Sequence, residues 1–412
     1  MSRKIASNSK DQDEDYNRIK VKIRNIYYML SYAYRIPLGS GLDNLSKIKL
    51  KNIHDLFAAL LAQGVGVQIK RGLHRDYVER EEELAGVRGQ IRVGETIKQL
   101  SHIKGKLVCA FDEFCVDTPH NQALKSVMNL LLRRGDVEAT NKDSLRKRLL
   151  FFDEVSDILP TSINWDAMKF HRNNASYIWL MNICRLVVEG LIHTEKEKGT
   201  HKLHKWLPYT EMKTIYEKFV LGYYKTHYPS LNAFPDPFEW KANPKATKSG
   251  IDKNKKNTVR LPSMITDITL KYEGNNKKEK LIIDTKFRPK TKISHIYHDN
   301  IYIREHLFQI FAYVKNDDEE GKWNVSGLLL YAKAPGEDNS SDADFRLCDN
   351  NISLKTLDLN KKWRKINKQL DKIIKRWLGI EGTDVDEINK EWPGLTEEEV
   401  KRLIGHHVIS GT

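Results

Sequence analysis

The chain has 412 residues, a formal net charge of +14 and 40% hydrophobic residues, enough length for two or three domains with separate cores. A basic balance of that size, with a pI near 9.3, points to a polyanionic partner, nucleic acid ahead of a membrane surface. No apolar run approaches the ~20 residues that span a bilayer, and the N-terminus lacks a signal-peptide core.

Cysteine usage sets the compartment. Cys109, Cys115, Cys184 and Cys348 form neither a C-x-x-C pair nor a zinc spacing, so free thiols in a reducing, cytoplasmic setting are expected. Residues 1–17 are polar, without apolar periodicity, and read as a flexible tail. Ile23–Tyr34 predicts a helix with a heavy aromatic face, and 53–69 a second. The segments 77–84, 87–93 and 108–116 alternate and predict strands. Helices are predicted over 121–133, 142–152 and 175–193, which makes 18–205 a mixed α+β domain.

Composition shifts near residues 202–208, and a second domain is expected over 206–378. It begins with a helix over 209–226, followed by a Lys-, Asn- and Gly-rich basic loop over 241–260. Two strands, Ile265–Tyr272 and Lys280–Phe287, are joined by a polar turn over 273–279. A helix over 299–315 and a strand over 325–333 come next. The last helix of the domain, 359–378, spaces Trp363, Ile366, Leu370, Ile373 and Trp377 alternately by three and four. Residues 379–412 form an extension of unassigned role, acidic and then helical, with Thr396 and Glu399 in a capping box.

The strand pair concentrates the chemistry. Asp267 sits early on the first strand, while Asp284 and Lys286 lie two apart on the second and share a face. They end the apolar run Leu281-Ile282-Ile283, where a charged pair carries a desolvation cost. Acid-x-Lys triplets also occur at Glu211–Lys213 and Glu399–Lys401, on predicted helix surfaces where residues two apart do not face each other. A surface ion pair at a strand end is the plain alternative for Asp284 and Lys286; Asp267 shifts the balance towards a site.

Two carboxylates and an ammonium at one edge suit a hard divalent cation and a positioned water, the chemistry of metal-dependent phosphodiester hydrolysis. Asp267 and Asp284 would hold Mg²⁺ or Mn²⁺, with the Thr285 carbonyl as a further ligand. Lys286 would orient or help deprotonate the attacking water and stabilise charge on the phosphoryl oxygens. Glu217, on the preceding helix, could add a third carboxylate for a second metal or a metal-bound water; its bland reading is a solvated glutamate. Gln309 and Tyr313, four apart on one helical face, would support the site or touch the phosphate backbone, with core packing the alternative for Tyr313.

The order Glu217, Asp267, Asp284-x-Lys286, Gln309-x-x-x-Tyr313 resembles the PD-(D/E)xK nuclease superfamily, with Thr266 where that pattern has proline. The resemblance implies an α/β restriction-endonuclease-like domain, a central mixed sheet flanked by helices. Arg24–Tyr34, Arg71–Tyr77, Arg88–Ile91, Phe111–Glu113, Asp117–Asn121 and Leu281–Phe287 further resemble the McrC family, the endonuclease subunits of modified-cytosine restriction systems. That resemblance stops near residue 380. It implies a Mg²⁺-dependent endonuclease acting on double-stranded DNA with modified cytosine, served by an McrB-like AAA+ GTPase hexamer that recognises the base and translocates DNA. Residues 18–205 would then be the α+β domain that enters the ring and stimulates GTP hydrolysis.

Arg71, Arg75 and Arg88 are candidates for that contact, against ordinary surface ion pairing. The chain has no G-x-x-x-x-G-K-[ST] loop, and Gly64-Val65-Gly66 lacks the lysine, so nucleotide hydrolysis is expected of the partner. His201/His204 and His295/His298 lack the additional ligands zinc needs. The basic loop can track DNA phosphates or serve as a solvated linker. Two other readings stay open: a non-catalytic adaptor that binds DNA and the partner, and a standalone RecB-like repair nuclease.

Overall fold

The computed structural model describes residues 21–36, 50–198, 207–238, 264–274, 277–288, 292–293, 301–318, 323–333, 342–383 and 385–404. The expected tail over 1–17, the basic loop over 241–260 and both His-x-x-His pairs lie outside them. The chain divides into two units, one of residues 40–208 and one joining residues 1–39 to 209–412.

The first helix, α1 (Ile23–Tyr34), therefore stands apart from the 18–205 grouping expected for it. The cause is specific. Its Asn25 amide donates to the carbonyls of Leu359 (2.7 Å) and Lys361 (2.8 Å), and Tyr28 stacks on Trp363 with ring centroids 4.6 Å apart.

In the 40–208 unit, α2 (Ile53–Arg71) is capped by Asn52, whose side chain accepts from the Asp55 N–H, and is buried on nearly every side. Gly64 admits the Trp179 ring, which a Cβ would meet at 2.3 Å. Next come β1 (Asp76–Leu84), β2 (Gln90–Ile91), α3 (Val93–Lys98), β3 (Leu107–Cys115), α4 (Pro119–Arg134), α5 (Ala139–Leu149) and α6 (Tyr177–Lys198). The three strands form an antiparallel sheet in the order β1-β3-β2. The strand expected over 87–93 shrinks to two residues, because Gly89 adopts a left-handed φ of 69° and the chain turns helical at Val93.

The other unit continues with α7 (Tyr209–His227), β4 (Pro237–Phe238), β5 (Met264–Ile265), β6 (Ile268–Gly274), β7 (Lys277–Lys286), β8 (Lys292–Ile293), β9 (Ile301–Tyr302) and α8 (Arg304–Asp317). It ends with β10 (Asn324–Ala332), β11 (Ala343–Leu347), β12 (Asn350–Leu357), α9 (Trp363–Leu378), α10 (Val385–Glu391) and α11 (Glu397–Leu403). Gly222 of α7 lets α1 approach closely, since a Cβ there would lie 2.4 Å from the Tyr32 carbonyl oxygen.

Five strands make a mixed sheet in the order β11-β12-β10-β7-β6. The central β10 runs parallel to β7 and β12, and the edges β6 and β11 are antiparallel to their neighbours. Ile310 and Val314 of α8 pack on Ile282, Leu329, Ile352 and Leu354. Strand alternation sends Leu281 and Leu328 to the other face, where they line a cleft with Ile373 and Trp377 of α9.

Two expectations for the strand pair change. The strand predicted over 265–272 is broken: β5 pairs with β4, β6 pairs with β7, and Asp267 occupies the bend between them. Thr266 causes the break. Its N–H donates to the Asp236 carbonyl at 3.0 Å, its hydroxyl accepts from the Asp236 N–H at 2.9 Å, and that hydroxyl also lies 2.9 Å from Thr269 Oγ1. The turn expected over 273–279 is shorter, because the β6–β7 ladder runs on to Gly274 and Lys277.

Residues 379–383 and 385–404 pack into the same unit. Glu399 of α11, 1% exposed, accepts from the Ser230 N–H at 3.0 Å and from its hydroxyl, and also completes the predicted capping box with Thr396. Arg402 donates to the Tyr223 hydroxyl at 3.2 Å.

Candidate active site

α7, the bend before β6, the end of β7 and the first turns of α8 bring the sequence-predicted residues together. Asp284, 1% exposed, lies at the C-terminal end of the buried stretch of β7. Lys286 Nζ stands 2.6 Å from Asp284 Oδ2 and donates to Gln309 Oε1 at 2.9 Å. Gln309 Nε2 donates to the Tyr313 hydroxyl at 3.1 Å, and that hydroxyl reaches the Ile265 carbonyl at 3.4 Å. A chain of contacts thus fixes the ammonium from the helix side. Tyr313 is also core: it is 2% exposed and packs in the α8–sheet cluster.

Asp267 is oriented by Thr285, whose N–H and hydroxyl donate to Asp267 Oδ2 at 2.7 and 2.8 Å. The bend is therefore stitched to β7, and one Asp267 oxygen is committed to that stitch. Asp284 Oδ2 differs. It is buried, and the Lys286 ammonium at 2.6 Å is its charge partner.

The electrostatics record burial first and like charge second. Burial pushes the Asp284 carboxyl up to about 6; Lys286 opposes the shift and Asp267 adds to it. Burial pushes Glu217 on α7 up to about 7, with Asp267 adding to the rise and Lys213 and Lys218 opposing it. Glu217 is half-buried on α7. Among the described residues no three His, Cys, Asp or Glu side chains stand close enough to hold an ion by themselves.

A donor set of two carboxylates still fits Mg²⁺, which keeps several waters and takes further oxygens from substrate phosphate. The buried Asp284 carboxylate with Asp267 acting on it is the observation that favours such a fit.

Two residues of this region were missed in the sequence. Lys213, one helical turn before Glu217, acts electrostatically on Glu217, Asp284 and His306; the four-residue spacing on α7 was the signal that could have found it. His306 is 9% exposed, its Nδ1 lies 2.8 Å from the Tyr331 hydroxyl, and its pKa is pushed down to about 3 by burial and then by Lys286, Arg288 and Lys213. No sequence signal marked it. Of the arginine candidates, Arg88 stacks 3.8 Å above the Phe111 ring and pairs with Glu113 at 3.6 Å, while Arg71 and Arg75 are exposed.

The family model described as McrBC 5-methylcytosine restriction system component matches residues 4–332. The chain belongs to this family. It is 27% identical over 359 residues to the Type IV methyl-directed restriction enzyme EcoKMcrBC of Escherichia coli (strain K12), covering 87% of this chain and 98% of that protein. Two solved assemblies from Thermococcus gammatolerans are also similar. One is a half-complex of McrB AAA+ hexamers with bound McrC, with a TM-score of 0.46 and 16% identity over 86% of this chain and 75% of that one. The other is an McrBC complex, with a TM-score of 0.35 and 20% identity over 48% of this chain and 56% of that one. As a family member, the chain is a restriction-system component. Among the described residues no helix is long and apolar enough to cross a membrane, and all four cysteines are free.

Proposed function

We propose that residues 209–412 form a Mg²⁺-dependent DNA endonuclease of the PD-(D/E)xK type, working in a modification-dependent restriction system that directs it to methylcytosine. The observation that carries this reading is Asp284, a buried carboxylate paired to Lys286 at 2.6 Å with Asp267 beside it. One ammonium does not offset both the burial of Asp284 and the neighbouring Asp267 carboxylate, and a divalent cation between them would.

Asp267 and Asp284 would hold the ion, with the Thr285 carbonyl as a further ligand. The ion, when bound, supplies Lewis-acid polarisation of the scissile phosphoryl group. Lys286, steadied by Gln309, would present its ammonium to the charge that builds on phosphoryl oxygens. Glu217, poised near neutrality, can accept a proton from the attacking water. None of these groups reads bases, so the sequence or modification must be recognised elsewhere.

The family assignment supplies the companion. A restriction-system component acts with other components, and we assign the DNA-reading and translocating role to an McrB-like AAA+ GTPase hexamer, whose hydrolysis residues 40–208 would stimulate. The test uses the chain with that partner, GTP, Mg²⁺ and methylated DNA. Asp267→Ala and Asp284→Ala are expected to abolish cleavage while co-purification and GTPase stimulation persist. Cleavage surviving both substitutions would overturn the site; GTP turnover unchanged by the added chain would overturn the companion's assignment.

A further inference from the structure

A cleft of about 580 Å³ lies under α9, on the sheet face opposite the acidic site. Its volume falls in the range of small-ligand sites. Three cationic side chains line it, Arg346 of β11, Lys355 of β12 and Arg376 of α9, against two anionic ones, Asp344 and Glu381.

Lys355 is 8% exposed, an unusual position for an ammonium. Its Nζ lies 2.7 Å from Asp344 Oδ2, and Arg376 Nη1 lies 3.9 Å from the same oxygen. Ser353 donates to the other Asp344 oxygen at 2.7 Å. One largely exposed carboxylate thus accepts from two donors and pairs more loosely with Arg376, which is shared further with Glu381 at 3.2 Å. Two cations within 4 Å of one oxygen make a seat that a second, more highly charged anion can occupy. Trp377 lines the same cleft, and its buried indole N–H has no hydrogen-bond partner among the described residues. An indole beside clustered cations suits a π-faced group carrying phosphate.

We propose that this cleft binds a nucleoside monophosphate, its phosphate on Lys355, Arg376 and Arg346 and its base against Trp377. The ligand chemistry occurs both in free nucleotides and at the 5′-phosphorylated end of a DNA strand. The site needs no metal and does not depend on the nuclease reading.

Isothermal titration calorimetry of the full chain in EDTA tests it, using each deoxynucleoside 5′-monophosphate, inorganic phosphate, and short oligonucleotides with and without a 5′-phosphate. Saturable binding of the monophosphates is expected, weaker binding of inorganic phosphate, and a loss of roughly tenfold or more in Lys355→Met from one charge-assisted hydrogen bond. Arg346→Gln, on a side chain 74% exposed, gives the same sign of effect where Lys355→Met fails to fold. Asp284→Asn should bind as the parent does. Tighter binding of the 5′-phosphorylated oligonucleotide than of the monophosphates identifies the ligand as a strand end; the reverse identifies a free nucleotide. No binding of either, inorganic phosphate as tight as the nucleotides, or binding lost in Asp284→Asn but kept in Lys355→Met and Arg346→Gln overturns the proposal.

Discussion

Replacing Asp284 with asparagine should make the metal-free chain more stable while removing its response to metal. The carboxyl is 1% exposed and its pKa stands near 6 against an ordinary 3.8. A carboxyl whose folded pKa is raised leaves stability untouched below the unfolded value, and stability is lost as pH rises through the folded one. About two units at roughly 1.4 kcal/mol each amount to about 3 kcal/mol lost at pH 7.5. The asparagine amide carries no such charge, although it leaves Lys286 a weaker partner, so a net gain of about 1–3 kcal/mol is expected. In a unit of this size that corresponds to roughly 2–12 °C in Tm.

Differential scanning calorimetry at pH 7.5 in EDTA should show that rise, and at pH 4 the gap should close. Mn²⁺ at about a hundred times its Kd should stabilise the parent chain by about 2.7 kcal/mol and leave Asp284→Asn unmoved. A variant that melts below the parent at pH 7.5, or that Mn²⁺ still stabilises, would refute the reasoning.

Three further outcomes are expected. Lys286→Ala should lower the cleavage rate by roughly a hundredfold or more yet retain the Mn²⁺-induced rise in Tm; loss of both would make Lys286 a structural strut. Burial holds His120 down to about 4, so its contribution is fully present above the unfolded pKa of 6.5 and fades as pH falls towards 4. Urea midpoints should drop over that window, and His120→Phe should flatten the drop. Glu399→Ala removes the acceptor for Ser230 and for the Thr396 N–H and should cost about 2–4 kcal/mol in urea unfolding; a change below about 0.5 kcal/mol would show α11 to be loosely attached.

Much of the site was legible because its signals are local. The apolar run before Asp284 marks a buried strand whatever surrounds it, and the four-residue spacing of Gln309 and Tyr313 fixes a shared helical face. The unread parts depend on partners far along the chain. Thr266 breaks its strand only because Asp236 and Thr269 are there to bond it. The aromatic face of α1 announces burial, but not that Trp363 would supply the stacking partner. β11 leaves little mark in the sequence because its side chains are largely exposed, Phe345 and Leu347 at 40% included, so an edge strand there shows little apolar alternation. The Thr396–Glu399 box was readable as a helix start, whereas the Ser230 contact that anchors Glu399 to the rest of its unit was not.

The central claim is that Asp267 and Asp284 share one divalent ion. Crystals of the chain soaked in Mn²⁺ and measured at the manganese edge would test it most directly. An anomalous peak bridging the two carboxylates, absent from Asp284→Asn crystals, is the predicted result. Well-ordered carboxylates with no peak between them would contradict it.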